Sequence, residues 1–204
     1  QLQQFGNRVP QFSFEVVRPE QSDAIGANEE ITRAVKAVAL IPGTGEYALA
    51  TTPVYYGSSA TDQSSANVHS PAGKTDFAVS LDALSEELPN SEAASLIVSW
   101  FGDDLRCGTC TVRPKVERKG VEGRNMPWNV SGVTRTSASL IPTLDGRPIY
   151  GGTPTDNAVV EAIRAMNAAN KAVMFYPFIL MDQQEGNVLP DPYSDALGQP
   201  HLPW

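Results

Sequence analysis

Two continuous apolar segments constrain the fold of this chain more than any other feature. They are SLIVSW at 95–100 and VMFYPFILM at 173–181. Neither alternates with polar residues, which is typical of strands covered on both faces, as in a parallel sheet with helices outside. Residues 155–170 lie between them and have an amphipathic helical pattern. The order of strand, long connection, helix and strand predicts a βαβ unit whose parallel strands are joined by a right-handed crossover.

The predicted helix of this unit has a recognisable start and an apolar face. Thr155 is placed to cap its N-terminus, and Glu161 falls on the side that we expect to face solvent. Its apolar stripe consists of Val159, Val160, Ile163 and Met166. We therefore expect these four residues to pack against the sheet.

The first forty residues contain two further predicted elements. Residues 11–17 alternate apolar and polar side chains as a half-buried strand does, and residues 19–27 are typical of a linker. Asn28 can cap a helix over residues 29–40, which would end before Pro42. A domain boundary is therefore predicted between the strand and the helix.

The middle of the chain is predicted to contain a strand, a surface loop and a helix. A strand is expected within residues 46–56, followed by a Gly/Ser/Ala/Asn-rich surface loop at 57–66. Residues 80–88 predict a helix that is capped by Ser80 and ends at Pro89. Its apolar face would bury Leu81, Leu84 and Leu88.

The connection between the two apolar strands is much longer than most loops. Residues 101–154 are polar and rich in Gly and Arg, with a hairpin predicted at the Asp145–Gly146 turn. Connections of this length are usually functional or disordered. The length of the connection is therefore consistent with a functional site there.

Charge and composition exclude some partners. The chain has 204 residues and a formal net charge of −8, which argues against a nucleic-acid-binding surface, because that needs clustered Lys and Arg. No run approaches the roughly 20 apolar residues of a membrane span, and the N-terminus lacks the layout of a signal peptide. The chain opens on Gln1 and closes on the loop-like GQPHLPW, so we expect both ends to be cuts in a longer polypeptide.

Two short motifs partly resemble cofactor or metal sites. Cys107 and Cys110 form a Cys-x-x-Cys pair, which fits loop thiols, half of a zinc site, a redox dithiol or a short-loop disulfide. A zinc site needs two more ligands, and only the distant His69 and His201 offer imidazole, so we predict no metal required for folding. The glycines of GTGEYA at 43–48 follow a predicted helix rather than a strand, which argues against a nucleotide site. No cofactor is predicted.

Several longer strings together resemble a known family. They are FGNRVPQFSFEV at 5–16, AVALIPGTGEYALATTPV at 37–54, LPNSEAASLIVSWFGDDLRCGTCTVRP at 88–114, GRPIYGGTPTDNAVVEAIRAMN at 146–167, VMFYPFILMD at 173–182 and GNVLPDPYSDALGQPHLPW at 186–204. These strings resemble the multidomain baseplate hub ("megatron") proteins of gene transfer agents and related siphophages, which carry a glycoside-hydrolase, TIM-barrel-like domain. The resemblance covers nearly the whole chain.

The resemblance implies an α/β fold made of the opening βα units of a TIM-barrel-like domain, preceded by a strand of an N-terminal hub domain. Residues 1–20 would close that hub domain, and residues 28–204 would form the incomplete N-terminal part of the barrel-like domain. Closing such a barrel takes eight strands, and only two convincing ones are predicted here. The fragment alone is therefore expected to fold poorly or to associate.

The same resemblance implies a role in the virion tail tip. The expected function is that of a structural component of the baseplate hub, involved in contact with or penetration of the host cell envelope. The partners would be other tail-tip and hub proteins or the remainder of the same polypeptide. The alternative is a domain that binds or hydrolyses a cell-wall or capsule glycan, and a redox or metal module at the cysteine pair is a third class.

Candidate site residues follow from where a TIM barrel places its active-site loops, at the C-terminal ends of the strands. Asp103, Asp104 and Asp182 follow the two apolar strands, and Arg106 can pair with a carboxylate either to bind sugar or to hold the loop. Tyr176 is a candidate for stacking on a sugar ring, as are Trp100, Phe101 and Phe178. The alternative is that these aromatic residues fill the core. No residue is predicted to be catalytic, because the acid and nucleophile of TIM-barrel glycosidases tend to follow later strands.

Overall fold

The computed structural model describes residues 31–41, 44–59 and 62–203. The predicted strand at 11–17, the linker, the Asn28 cap and the proposed end of a hub domain at 1–20 lie outside the described residues. The elements in chain order are α1 (Ile31–Ala34), β1 (Ala37–Leu40), β2 (Tyr55–Ser59), β3 (Asp62–Ser65), α2 (Asp76–Glu87), β4 (Ala93–Gly102), β5 (Val112–Arg113), β6 (Lys115–Val116), β7 (Asn129–Val130), β8 (Val133–Thr134), β9 (Ser139–Leu140), β10 (Thr143–Leu144), β11 (Arg147–Pro148), α3 (Asp156–Ala168) and β12 (Ala172–Met181).

A parallel sheet of order β1-β4-β12 organises the described part of the chain. Strand β12 pairs with β4 in continuous register from Ala172 opposite Ala93 to Met181 opposite Gly102. Strand β1 pairs in parallel with the first half of β4, and the short β5 adds antiparallel at its end. The predicted α/β class and parallel pairing are confirmed, whereas the described residues form an open sheet and no closed barrel.

The helix predicted over residues 29–40 is wrong for most of its described length. Only Ile31–Ala34 is helical, and Ala37–Leu40 forms β1 against Ala93–Leu96. Ile31, at the start of this segment, is 75% exposed, so the apolar spacing does not mark a buried helical face. Pairing with β4 overrides the local helical pattern, and the sheet has three parallel strands rather than the two predicted.

The segment from 44 to 66 also differs from its prediction. A strand was expected within 46–56, but residues 45–49 form a turn and β2 begins only at Tyr55. Within the expected surface loop at 57–66, residues 57–59 and 62–65 instead belong to the antiparallel strand pair β2–β3. Low apolar content here reflects a hairpin at the surface, held by backbone hydrogen bonds, rather than a loop.

Helix α2 begins four residues earlier than predicted. Thr75, not Ser80, is its N-cap, and the Thr75 Oγ1 accepts a hydrogen bond from the Ala78 N–H at 3.4 Å. Leu81 and Leu84 are buried as expected. The earlier start was missed although Phe77, which is completely buried, begins the apolar face one turn before Leu81.

Helix α3 lies where the sequence predicted it and ends at Ala168 rather than near Asn170. Thr155 occupies the N-cap position but makes no side-chain cap bond; its hydroxyl instead donates to the Asn129 carbonyl at 3.0 Å. Val159 and Met166 are buried as expected, whereas Val160 is exposed and was wrongly assigned to the apolar face. Ala158 and Ala162 take its place because small side chains allow close approach to the sheet.

Strand β12 is not covered on both faces, contrary to its prediction. Met174, Phe175, Tyr176 and Ile179 are 45–59% exposed, while β4 is buried along most of its length. Within the described residues β12 pairs only with β4, so its outer edge and much of its side-chain surface meet solvent. The same apolar composition therefore produces a central strand in one case and an edge strand in the other.

The connection after β4 is ordered rather than a simple loop. Its small strand pairs include the predicted hairpin, β10 with β11, in which Asp145 and Gly146 both have positive φ values of 50° and 74°. Val116, Trp128 and Val130 from this connection are nearly completely buried in the main core. Within the described ranges no helix is long and apolar enough to cross a membrane.

Candidate functional site

Segments that follow all three parallel strands meet at the C-terminal edge of the sheet. The Asp182 N–H, just after β12, donates to the carbonyl of Gly102 at the end of β4 at 3.0 Å. The segment after β1 joins the same region, since the Thr155 N–H donates to the Glu46 carbonyl at 3.0 Å. This edge is where the sequence placed the candidate site, and the structure brings Asp103, Asp104 and Asp182 to it.

Asp104 is the most heavily bonded of the three predicted acids. Its side chain is 7% exposed, and the Arg106 guanidinium donates to both carboxylate oxygens, through Nη2 at 2.6 Å and Nε at 3.0 Å. The Thr109 hydroxyl and the Gln199 carboxamide donate to it at 2.9 and 2.7 Å. The Arg106 hydrogen bond, together with these donors, holds the pKa of Asp104 well below its usual range. The pair predicted from sequence is present, and its geometry is that of a loop clamp.

The carboxylates of Asp103 and Asp182 are also bound by other groups of the protein. The Asp103 carboxylate accepts the Thr111 N–H at 2.7 Å. Asp182 forms an ion pair with Lys115, and both side chains are at most 16% exposed. The Lys115 ammonium also lies 5.9 Å from the centre of the Phe101 ring. Each predicted acid therefore already has a donor from the protein.

A buried ionic network next to this edge was missed by the sequence reasoning. The Glu46 side chain is completely buried and forms a two-point pair with Arg135, with Nη2 and Nη1 donating at 2.5 and 3.0 Å. Arg135 also donates to Glu122 at 3.0 Å and to the Tyr47 hydroxyl at 3.0 Å. Burial raises the pKa of Glu46, although the Arg135 pairing acts in the opposite direction. The network ties the turn after β1 to the long connection.

Glu46 and Glu117 also bind each other's backbone. The Glu117 N–H donates to the Glu46 carboxylate at 2.7 Å, and the Glu46 N–H donates to the Glu117 carboxylate at 3.2 Å. The Gly152 N–H donates to the same Glu117 oxygen at 2.9 Å. The sequence offers one signal that Glu46 is buried, because it is a charged residue among apolar or small residues in the GTGEYA string. Its partners could not be identified in this way, because they are 71 and 89 positions away.

The aromatic candidates divide between core and surface. Phe101 is 1% exposed, and Phe178 packs against Tyr150 with ring centres 6.2 Å apart, so both belong to a small core cluster. Trp100 packs against the main core. Tyr176 is 45% exposed, but it pairs with Ile97 in mid-strand, about 16 Å along β12 from its C-terminal end. The structure therefore does not bring Tyr176 together with Asp104 and Asp182.

The cysteine pair and the histidines form no zinc-type cluster in the part of the chain that the structure describes. Both thiols are free; Cys107 is exposed and Cys110 is half-buried. His69 is bonded to Asp76 at 2.7 Å. No group of three or more His, Cys, Asp or Glu side chains among residues 31–41, 44–59 and 62–203 is placed to hold a metal ion.

An open cleft of about 810 Å³ lies beside the β10–β11 hairpin. Its lining residues are Leu144, Asp145, Arg147, Pro148, Ile149, His201 and Leu202. It adjoins the C-terminal edge, because the Leu202 N–H donates to the carbonyl of Gln183, just after β12, at 2.9 Å. Gln183 is 2% exposed, and its carboxamide has no hydrogen-bond partner among the described residues.

Together these features define a mixed α/β protein whose parallel sheet supports a C-terminal edge cross-linked by ion pairs. Its carboxylates hold loops together rather than standing free for proton transfer. No known family model and no curated protein matches the chain.

Proposed function

We propose that this chain is a structural component of a phage or gene-transfer-agent tail tip, part of a baseplate hub that contacts or penetrates the host cell envelope. Its fold would be the opening of a TIM-barrel-like domain. The observation that carries the proposal is the open edge of β12 with its exposed apolar side chains, which is a surface suited to assembly.

The surface of β12 favours further strand pairing. Met174, Phe175, Tyr176 and Ile179 combine on a ten-residue strand that is bonded only on its β4 side in the described part of the chain. Isolated edges of this kind are normally blunted by charges or covered. Pro177 has no N–H, so an added strand would hydrogen-bond mainly on either side of it. The covering strand would come from the remainder of the same polypeptide or from another tail-tip or hub protein.

The ion pairs made by the buried carboxylates favour a structural role for this edge over a catalytic one. Glycoside hydrolysis needs two carboxyl groups facing each other across the scissile bond. Asp104, Asp182 and Glu46 are instead paired with Arg106, Lys115 and Arg135. The Asp182–Lys115 and Glu46–Arg135 pairs join segments distant in sequence and so fix the shape of the edge, as an assembly component requires.

Site-specific photo-crosslinking in assembled particles tests this proposal. A photoreactive phenylalanine derivative at Phe175 or Tyr176 should crosslink to another tail protein or to a distant part of the same polypeptide. The same group at Tyr193, which is 83% exposed on a loop, is the matched control and should crosslink little. Absence of the chain from purified particles, or equal crosslinking from all three positions, would contradict the proposal.

Glycan binding is the second candidate, and the cleft beside the β10–β11 hairpin favours it. Asp145, Arg147 and His201 line the cleft together with apolar residues such as Ile149 and Leu202, the combination that suits a sugar with hydroxyls and C–H faces. Arg147→Ala should weaken retention on immobilised cell-wall or capsule polysaccharide, whereas Asp195→Ala on the exposed loop should not. Equal retention of the two variants would exclude this cleft as the binding site.

A further inference from the structure

Three sulfur-containing residues, Cys107, Cys110 and Met181, lie near the C-terminal end of β4, and the proposed tail-tip role does not use them. Gly102 pairs in register with Met181 on one side and with Val112 on the other. A Cβ at Gly102 would lie 2.9 Å from the Met181 Sδ and 3.1 Å from the Cys110 Sγ. The two sulfur atoms therefore flank the same point, and the missing side chain at Gly102 makes room for them.

The two cysteines lie on one tight turn. The N–H groups of Thr109 and Cys110 both donate to the Arg106 carbonyl, at 3.0 and 2.9 Å. Residues three apart on a helical turn share a face, with Cβ atoms about 5–6 Å apart. Cys107 is exposed, whereas Cys110 is half-buried and its sulfur lies beside Met181 at Gly102.

Hydrogen bonds to Asp103 and Asp104 hold this turn on both sides of the cysteine pair. Asp104 accepts hydrogen bonds from the Arg106 N–H at 2.8 Å and from the Thr109 hydroxyl at 2.9 Å, and Asp103 accepts the Thr111 N–H at 2.7 Å. These bonds bracket both cysteines. A site held by surrounding hydrogen bonds needs little reorganisation when a ligand enters.

We propose that Cys107, Cys110 and Met181 form a binding site for Cu(I). Two thiolates and a thioether are soft ligands, which select Cu(I) among the biological metals. Zinc sites instead take four ligands from Cys, His and carboxylates, a set that the described residues do not assemble here. Binding displaces one proton from each thiol to solvent and involves no change in oxidation state.

Competition for Cu(I) under oxygen-free conditions tests the site. The chain, reduced and freed of reductant, is titrated into the coloured complex of Cu(I) with bicinchoninate. We expect it to remove one Cu(I) per chain. Cys107→Ser and Cys110→Ser should abolish this transfer. Met181→Leu should lower the affinity for Cu(I) by at least the roughly 10-fold that loss of an outer-shell partner of a metal ligand costs.

Two controls distinguish a site that the fold assembles from a pair of thiols that would bind Cu(I) in any conformation. Met174→Leu removes an exposed methionine from the same strand and should leave the affinity unchanged. The chain unfolded in urea should bind more weakly than the folded chain. No transfer of Cu(I), equal binding by folded and unfolded chains, or equal binding by Met181→Leu and the parent would each overturn the proposal.

Discussion

Thr52 holds the carboxylate of Glu161 through two hydrogen bonds. Its hydroxyl donates to Oε1 at 2.7 Å and its N–H donates to Oε2 at 2.9 Å. The N–H of Thr51 donates to Oε2 as well, at 2.8 Å. Burial alone would raise the pKa of Glu161, but these hydrogen bonds outweigh it and lower the pKa. Glu161 therefore does not simply face solvent, as its helical position predicted; it anchors α3 to the segment after β1.

Glu161→Gln should destabilise the fold. The amide keeps the size of the side chain but loses the charge and one acceptor, so we expect the free energy of unfolding to fall by about 1–2 kcal/mol, allowing for partial exposure. Urea denaturation at low protein concentration measures it. Glu86→Gln on the exposed face of α2 is the control, and an equal loss for both variants would contradict the anchoring role.

Asp104→Asn should change how stability depends on pH. The folded-state pKa of Asp104 lies below that of the unfolded chain. Its carboxylate therefore stabilises the fold above the ordinary Asp pKa of about 3.9, and this contribution is lost as the pH falls from there through the lower folded-state pKa. The free energy of unfolding, measured by urea denaturation at several pH values, should therefore change less across this acid range for Asp104→Asn than for the parent. Asp195→Asn, on an exposed loop, should keep the parent profile; an unchanged profile for Asp104→Asn would contradict the prediction.

Gly151→Ala should be strongly destabilising. A Cβ at Gly151 would overlap the backbone N of Gly45 and the backbone C of Thr44, neither of which can move as a flexible side chain does. We expect a loss of about 1–3 kcal/mol or more, measured as the midpoint of chemical denaturation. Gly108 has open space around the corresponding position, so Gly108→Ala is the matched control. A small effect at Gly151 would show that the two segments do not touch as described.

Arg135→Met should leave the carboxylate of Glu46 buried without its partner. Breaking a buried pair typically costs about 3–5 kcal/mol, whereas removing Lys74 from its exposed pair with Asp82 should cost at most about 1 kcal/mol. The double variant Glu46→Gln/Arg135→Met should lose less stability than the two single losses combined. A double-mutant cycle in urea measures this coupling, and strict additivity would refute it.

The local elements that sequence predicted well are those whose pattern is long and unambiguous. The parallel pairing of β4 with β12, the position of α3 and the Asp145–Gly146 hairpin all follow from runs of apolar residues or from turn chemistry. The pairing of Asp104 with Arg106 was also foreseeable, because the two residues are close in sequence. For α3, the hairpin and the Asp104–Arg106 pair, the necessary information lies within a few neighbouring residues; for the strand pairing, it lies in the order of strand, helix and strand.

What the sequence alone determined was therefore the α/β class, the βαβ order and the local clamp at the end of β4. Only the tertiary structure decided that Ala37–Leu40 is a strand, that β12 has an open edge, and that Glu46 pairs with Arg135, 89 residues away. It also placed Met181 beside Cys110. The physical reason is that burial and pairing depend on which distant segments come together, and a short apolar run has no signal that specifies its neighbour.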